Sequence, residues 1–294
     1  MNLRIAENFR AVFYAPFYAI RALGLPQREG LEVEWLPSDA PGGTIGEVKR
    51  GRIDAQWGGP MRVLADHGSP SPSLVCFAEV VWRDPFYVIG RARTGFRLKD
   101  LATMRLGIVS EVPTPWYCLR ADLEDAGVDT AALGVTKNLT MPQQLEALAA
   151  GKLDAVQLFE PHASRALADG YAILYAAASR GPTAYTAFIS SRETLSKRRD
   201  EFAALTHATQ SMLDWLAKAG PAELAHATAP FFPDVPRELF GAALERYHRA
   251  GLWSRSTTLS KSGFERLAYS LHSGGYIKRR ATYAECVTDF GSTA

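Results

Sequence analysis

This sequence of 294 residues has few cysteines, little net charge and no long apolar runs. Cys76, Cys118 and Cys286 lie far apart among apolar residues, which predicts buried free thiols rather than disulfides, metal ligands or a nucleophile. The 33 basic and 31 acidic residues give a net charge of +2 with both signs scattered, which argues against a nucleic-acid partner. No apolar run approaches the length of a membrane span.

A secretory leader and catalytic motifs are also missing. Met1 runs almost directly into LRIAENF, without the basic, apolar and small-residue segments of a leader. A natural Met1 predicts a cytoplasmic protein, and a Met1 that replaces a removed leader predicts a periplasmic one, so both locations stay open. The sequence has no H-E-x-x-H motif, nucleophile elbow or Cys/His cluster, and PGGTIGE lacks the pattern of a phosphate loop. We therefore expect no metal, cofactor or catalytic residue.

A long repeat is the main positive feature of the sequence. GRIDAQWGGP at residues 51–60 is echoed by GKLDAVQLFEP at 151–161, and PFYAIRA at 16–22 is echoed by PWYCLRA at 115–121. A period near one hundred residues that occurs only twice excludes a solenoid, which needs three or more short units. The repeat predicts two similar lobes.

Strand and helix signals alternate within each half of the chain. The first half has the strand patterns LRIAE, LEVEWL, RIDAQW and SLVCFAEVV, with helices predicted from Pro16 and over 42–51 and 60–68. The second half has RLGIVS, GVTKNL and LDAVQLF, with helices predicted over 115–127, 141–151 and 161–170. This alternation predicts an α/β fold of mostly parallel sheets flanked by helices, which binds ligands beyond the carboxyl ends of its strands.

Four segments, in this order, resemble a known family. They are NFRAVFYAPFYAIRALGLPQREGLEVEWL, GGTIGEVKRGRIDA, FRLKDLATMRLGIV and LEALAAGKLDAVQLFEPHA. The pattern, over roughly residues 3 to 230, resembles the NMT1/THI5-like group of ABC-transporter solute-binding proteins, which covers nitrate, sulfonate, taurine and pyrimidine-precursor binding. The resemblance implies a two-lobe type II periplasmic-binding-protein fold that closes by a hinge on a ligand in the cleft between the lobes.

The resemblance also implies where the lobes begin and end. Lobe 1 is expected at residues 1–86 and 185–294, and lobe 2 at 87–184, with the crossovers near Phe86 and Ala184. The C-terminal region matches only as generic helices. Residues 231–253 predict helices that pack on lobe 1, and residues 272–287 predict a closing helix hairpin.

The loops that follow the predicted strands supply the candidate ligand contacts. Their aromatic rings can stack on planar groups, and their carboxylates can accept a hydrogen bond from an amino group. This balance favours a flat, nitrogen-bearing ligand of the pyrimidine type over a small oxyanion, which would want arginine, hydroxyl or backbone N–H donors. The candidates are Asn8, Phe9, Phe13, Tyr14, Trp57, Gly58, Gly59, Glu79, Trp82, Ser110, Glu111, Thr114, Trp116, Phe159, Glu160 and Tyr185.

Several of these candidates also have a purely structural interpretation. Phe13 and Trp57 are equally consistent with core packing, and Gly58-Gly59 with a tight turn. Glu79 and Glu111 are weaker candidates, since each is also explained by a solvated loop charge or a salt bridge between the lobes. Glu160, between Phe159 and a proline, favours a partner because a carboxylate among apolar neighbours needs one.

The sequence thus predicts a monomeric binding protein that delivers a small aromatic or heterocyclic solute to an ABC permease. The alternative is a cytoplasmic enzyme on the same fold, such as a desulfinase, decarboxylase or pyrimidine synthase. A desulfinase would need a cysteine in the cleft with a base beside it. Cys118 is expected to face the core, and His162 is the histidine whose helix start faces the cleft.

Overall fold

Ten strands form two separate five-stranded sheets in the computed structural model, which describes residues 1–290. The strands are β1 (Asn2–Ala6), β2 (Glu32–Leu36), β3 (Ala55–Gly58), β4 (Leu74–Val81), β5 (Tyr87–Gly90), β6 (Leu106–Gly107), β7 (Val135–Thr136), β8 (Ala155–Leu158), β9 (Ala172–Ala176) and β10 (Thr186–Ser191). We call the parts of the fold built on the sheets of β1 and β6 lobe 1 and lobe 2.

Helices cover both sheets. They are α1 (Ala15–Ala22), α2 (Leu25–Arg28), α3 (Ile45–Lys49), α4 (Met61–Asp66), α5 (Thr114–Asp125), α6 (Met141–Ala149), α7 (His162–Ala168), α8 (Arg192–Lys197), α9 (Arg199–Thr228), α10 (Arg237–Arg249), α11 (Lys261–Ser273) and α12 (Tyr283–Cys286). The long helix α9 is broken at Gly220, whose φ of 80° is left-handed, directly before Pro221.

The two sheets have the same topology. Their strand orders are β2-β1-β3-β10-β4 in lobe 1 and β7-β6-β8-β5-β9 in lobe 2. In each sheet one strand, β10 or β5, is antiparallel to both of its neighbours, and the remaining paired strands are parallel. The predicted α/β fold of two similar lobes with mostly parallel sheets is therefore confirmed.

The repeated Gly-basic-aliphatic-Asp-Ala motif has the same structural role in both lobes. Gly51 and Gly151 adopt left-handed φ values of 69° and 67° just after a helix, a conformation that costs glycine little. The carboxylates of Asp54 and Asp154 then accept hydrogen bonds from the backbone N–H groups of Arg4 on β1 and of Arg105 directly before β6, at 2.7 and 2.9 Å. The motif fixes where the central strand of each sheet begins.

Two C-terminal helices connect the lobes away from the crossovers. Helix α10 packs on α9 of lobe 1 and touches α7 of lobe 2, while α11 lies between α4 and α5. On α11, Arg266 donates to Asp122 of lobe 2 at 3.0 Å. Asp122 also pairs with Arg180, which in turn bonds Asp84 at 3.0 Å beside the first crossover. Both sides of the cleft are thus tied across the lobes.

The C-terminal region differs from its sequence-based prediction in two ways. Helix α10 packs on lobe 1 as expected, but it also reaches lobe 2. The predicted helix hairpin at 272–287 is wrong, because α11 ends at Ser273 before the left-handed Gly275 (φ 78°) and only the single turn of α12 follows. Within residues 1–290, no helix is both long enough and apolar enough to cross a membrane.

Candidate ligand cleft

A small cavity lies between the lobes where the crossovers pass. We call it the inner cavity, and its volume is about 30 Å³. Lobe 1 and the crossovers provide most of its wall, and the start of α5 closes it from lobe 2. Its lining residues are Asn8, Phe9, Phe13, Tyr14, Gly59, Met61, Arg62, Phe86, Val112, Pro113, Thr114 and Tyr185.

Polar groups of the inner cavity are held in fixed positions by lobe 1. The side chain of Asn8 donates to the Tyr14 hydroxyl at 3.0 Å and accepts from the backbone N–H of Gly42 at 2.7 Å. Burial raises the pKa of Tyr14 to about 12, so its hydroxyl stays protonated at neutral pH. Thr114, buried at the first turn of α5, adds a second hydroxyl from the opposite lobe. Two hydroxyls on opposite sides of the cavity can therefore donate to a bound acceptor.

Arg62 is the charged residue of the inner cavity. It makes no salt bridge with any residue in 1–290, and its buried Nε has no hydrogen-bond partner there. Burial lowers the pKa of this guanidinium, which nevertheless remains protonated at neutral pH. The loop at Gly42 (φ 72°) leaves room for it, since a Cβ at that glycine would lie 2.0 Å from the Arg62 Nη1. The cavity therefore contains a partly buried cation that makes no salt bridge within residues 1–290.

A larger space, which we call the outer chamber, adjoins the inner cavity. Its volume is about 430 Å³, and Phe9 and Val112 line both spaces. Lobe 1, lobe 2 and the C-terminal region each contribute to its wall. The remaining lining residues are Arg10, Ala11, Val12, Pro41, Glu111, Met141, Phe159, Glu160, Pro161, His162, Phe232, Pro233, Asp234 and Val235.

The structure brings most, but not all, of the sequence-predicted site residues to these two spaces. The inner cavity is lined by Asn8, Phe9, Phe13, Tyr14, Gly59, Thr114 and Tyr185, and the outer chamber by Phe9, Glu111, Phe159 and Glu160. The predicted residues that line neither space are Trp57, Gly58, Glu79, Trp82, Ser110 and Trp116.

The three tryptophans among those outlying residues pack within the fold. Trp57 stacks on Phe17 with ring centroids 5.2 Å apart, and Trp116 packs against the core of lobe 2. Trp82 donates from its indole N–H to the Gly251 carbonyl at 2.7 Å. None of the three rings lines the inner cavity or the outer chamber.

The other three outlying residues lie in a strand or on a loop outside the two spaces. Gly58 is buried in β3, where a Cβ would come within 3.0 Å of the Gln56 side chain. Ser110 is exposed on its loop. Glu79 is buried in β4, where one carboxylate oxygen accepts from the backbone N–H of Ser260 at 3.0 Å. Glu79 therefore caps the start of α11 rather than reaching the cleft.

Glu160 borders the outer chamber, but its carboxylate is taken by the protein itself. One oxygen pairs with Arg246 of α10, and the other accepts from the backbone N–H of Ser164 at 2.9 Å. The backbone N–H of Glu160 donates to the Tyr247 hydroxyl at 3.0 Å. Glu160 is fully buried, so its charge is neutralised between lobe 2 and the C-terminal helix.

Sequence reasoning missed Arg62, although the repeat contained a signal for it. Asp54 and Asp154, which have the same role in the two lobes, are one hundred residues apart, and the same offset relates Arg62 to His162. His162 was predicted to begin a helix that faces the cleft, and it does line the outer chamber. Applying that reasoning to the first copy of the repeat would have placed Arg62 at the cleft as well.

The cysteine and the histidine that the enzyme alternative singled out differ in their surroundings. Cys118 is fully buried and lines neither space, and burial raises the pKa of its thiol to about 12, so it is not a thiolate at neutral pH. Burial lowers the pKa of His162 to about 4, which leaves its ring neutral. Among residues 1–290, no group of three or more His, Cys, Asp or Glu side chains is placed to hold a metal ion.

Comparison with known proteins adds the family context. The sequence model of the NMT1-like family matches residues 9–229. YtlA of Bacillus subtilis (strain 168), which is named as a binding protein, is 22% identical over 295 residues, covering 97% of this chain and 87% of YtlA.

Solved structures share the fold at low sequence identity. The alkanesulfonate-binding protein SsuA from Xanthomonas axonopodis pv. citri, bound to MOPS, is 17% identical with a TM-score of 0.74 over 98% of each chain. The periplasmic aliphatic sulphonate binding protein SsuA from Escherichia coli is 15% identical with a TM-score of 0.77 over 97% of this chain and 96% of that protein. The predicted two-lobe type II periplasmic-binding-protein fold is confirmed.

Proposed function

Because the chain belongs to the NMT1-like family, we propose that it is a solute-binding protein for ABC-type uptake that closes its two lobes on a small organic anion. The anionic group occupies the inner cavity against Arg62. A sulfonate is the head group that we favour, because two proteins of the same fold are named as binders of alkanesulfonate or aliphatic sulphonate.

The unpaired guanidinium of Arg62 is the observation that carries this proposal. A partly buried charge without a partner costs free energy, so the site is suited to a ligand that supplies the missing negative charge. An arginine fork matches the oxygens of an oxyanion, and the hydroxyls of Tyr14 and Thr114 can donate to the remaining oxygens. The donors thus surround the anion from both lobes.

This ligand differs from the neutral pyrimidine that the sequence favoured. A pyrimidine would need carboxylates to accept from its amino group, and the three predicted carboxylates lie elsewhere. Glu79 caps α11, Glu160 is paired with Arg246, and Glu111 is exposed at the outer chamber. The polar groups of the inner cavity therefore complement negative charge better than an amino group.

Closure follows from the division of the inner cavity between the lobes. Arg62 and Tyr14 belong to lobe 1, and Thr114 belongs to lobe 2. An anion contacts all three only when the lobes approach, so its binding shifts the equilibrium from the open to the closed form. No covalent step is required.

Isothermal titration calorimetry tests the proposal with benzenesulfonate and with a neutral aminopyrimidine as ligands. We expect benzenesulfonate to bind and Arg62→Met to weaken it about thirtyfold or more, because a charge-assisted hydrogen bond is lost. Arg93→Met is the matched control, since Arg93 is exposed on a lobe 2 loop. If only the aminopyrimidine bound, or if both variants bound the sulfonate equally well, Arg62 would not be the residue that holds the anion.

A further inference from the structure

The two spaces in the cleft differ greatly in size. The inner cavity has a volume of about 30 Å³, and the outer chamber one of about 430 Å³. The inner cavity has room for about two water molecules. The volume of the outer chamber lies within the range of small-molecule sites, about 300 to 1,000 Å³. A head group can enter the inner cavity, but the rest of any larger ligand must lie in the chamber.

The spaces are adjacent, and the chamber has a largely apolar lining. Phe9 and Val112 line both of them. On the chamber side, Phe159 and Met141 of lobe 2 contribute to the lining together with Phe232 and Val235 of the C-terminal region. No function was predicted for that C-terminal segment, which here completes the chamber.

The charged side chains that line the chamber are either paired within the protein or exposed to solvent, as Glu111 and Asp234 are. Glu160 is paired with Arg246, and Arg10 is paired with Glu7 at 3.2 Å. His162 is neutral at physiological pH, because burial lowers its pKa to about 4. An uncharged, ring-sized body can therefore occupy the chamber without burying a second, unpaired charge.

We infer that the outer chamber binds an apolar, ring-sized body attached to the anionic head, so that the protein selects aryl or bulky organic sulfonates over short or inorganic anions. This inference rests on the proposed function, since the head must first be held by Arg62. Val235 of the C-terminal region and Met141 of lobe 2, which both line the chamber, then determine specificity for the body of the ligand.

The test uses ligands with one head group and bodies of increasing size: methanesulfonate, benzenesulfonate and naphthalene-2-sulfonate. We expect naphthalene-2-sulfonate to bind at least about tenfold more tightly than methanesulfonate, because more apolar surface is buried. Val235→Trp, which fills the chamber, should lower the affinity for naphthalene-2-sulfonate about tenfold and change the affinity for methanesulfonate less than about twofold. Met141→Trp fills the chamber from lobe 2 and should do the same.

Ala242→Trp is the matched control, because Ala242 is exposed on α10, and thermal unfolding of each variant checks that it is folded. Equal affinities along the series, or a Val235→Trp variant that weakens all three ligands alike, would overturn the inference while leaving the Arg62 site standing. Failure of all three sulfonates to bind the unchanged protein would instead overturn the proposed function and this inference with it.

Discussion

The carboxylate of Glu160 in lobe 2 is paired with the guanidinium of Arg246 on α10. Glu160 is fully buried, and Arg246 also donates to the Ser164 hydroxyl at 2.9 Å. Because α10 packs on α9 of lobe 1, this pair joins the C-terminal region to lobe 2 beside the outer chamber. The pair therefore ties the C-terminal region to lobe 2 and leaves the Glu160 carboxylate with partners inside the protein.

Replacing Glu160 should therefore reduce stability. In Glu160→Gln, the partly buried guanidinium of Arg246 loses its counter-ion, and we expect the free energy of unfolding to fall by about 2 kcal/mol. Urea denaturation measures this change. Glu245→Gln, which breaks an exposed pair with Arg249 on the same helix, should change stability by less than about 0.5 kcal/mol. Equal effects in the two variants would show that the buried pair contributes nothing beyond a surface pair.

Trp57 provides a second test that separates packing from ligand binding. It is 3% exposed, stacks on Phe17 and meets Tyr18 edge-on with ring centroids 5.5 Å apart. Trp57→Ala should lower the free energy of unfolding by about 3 to 5 kcal/mol, because a large buried ring leaves a cavity. Sulfonate affinity, measured by calorimetry well below the unfolding temperature, should stay within about twofold of the unchanged protein. If the variant had normal stability but bound the sulfonate more weakly, Trp57 would be a residue of the binding site.

The fold was predictable because its main signals are local and occur twice. The strand that begins at Asp54 or Asp154, the glycine before it and the helix after it form one unit, and each unit recurs with the same hydrogen bonds. Hydrophobic periodicity reports such short-range patterns well. The family resemblance then supplied the arrangement of the two lobes.

The site was predicted less well because its contacts join distant parts of the chain. In sequence, Arg62 is a polar position on a short helix, and only the folded loop at Gly42 shows that its guanidinium turns into the cleft. Nothing local pairs Glu160 with Arg246, which come from different lobes. The chamber wall at Val235 lies in a segment without a repeat partner, so the comparison of halves could not reveal it.

Glu79 should make stability depend on pH. It is 1% exposed, one carboxylate oxygen has no hydrogen-bond partner among residues 1–290, and burial raises its pKa to about 8. An unfolded glutamate releases its proton near pH 4.3, so between that pH and about 8 the folded protein binds a proton that the unfolded chain does not. Stability from this group is complete below the unfolded pKa and is lost as the pH rises through the folded pKa.

Glu79→Gln removes this titration while keeping the size of the side chain. We expect the free energy of unfolding of the variant, relative to the unchanged protein, to rise by about 1.4 kcal/mol per pH unit at most between pH 5 and 8 and to level off above. Urea denaturation at half-unit steps of pH measures the difference. Glu238→Gln, at an exposed position on α10, should give a difference that does not change over this range. A flat difference for Glu79→Gln too would mean that Glu79 ionises in the fold like a surface carboxylate, and that its contact with the start of α11 is open to water.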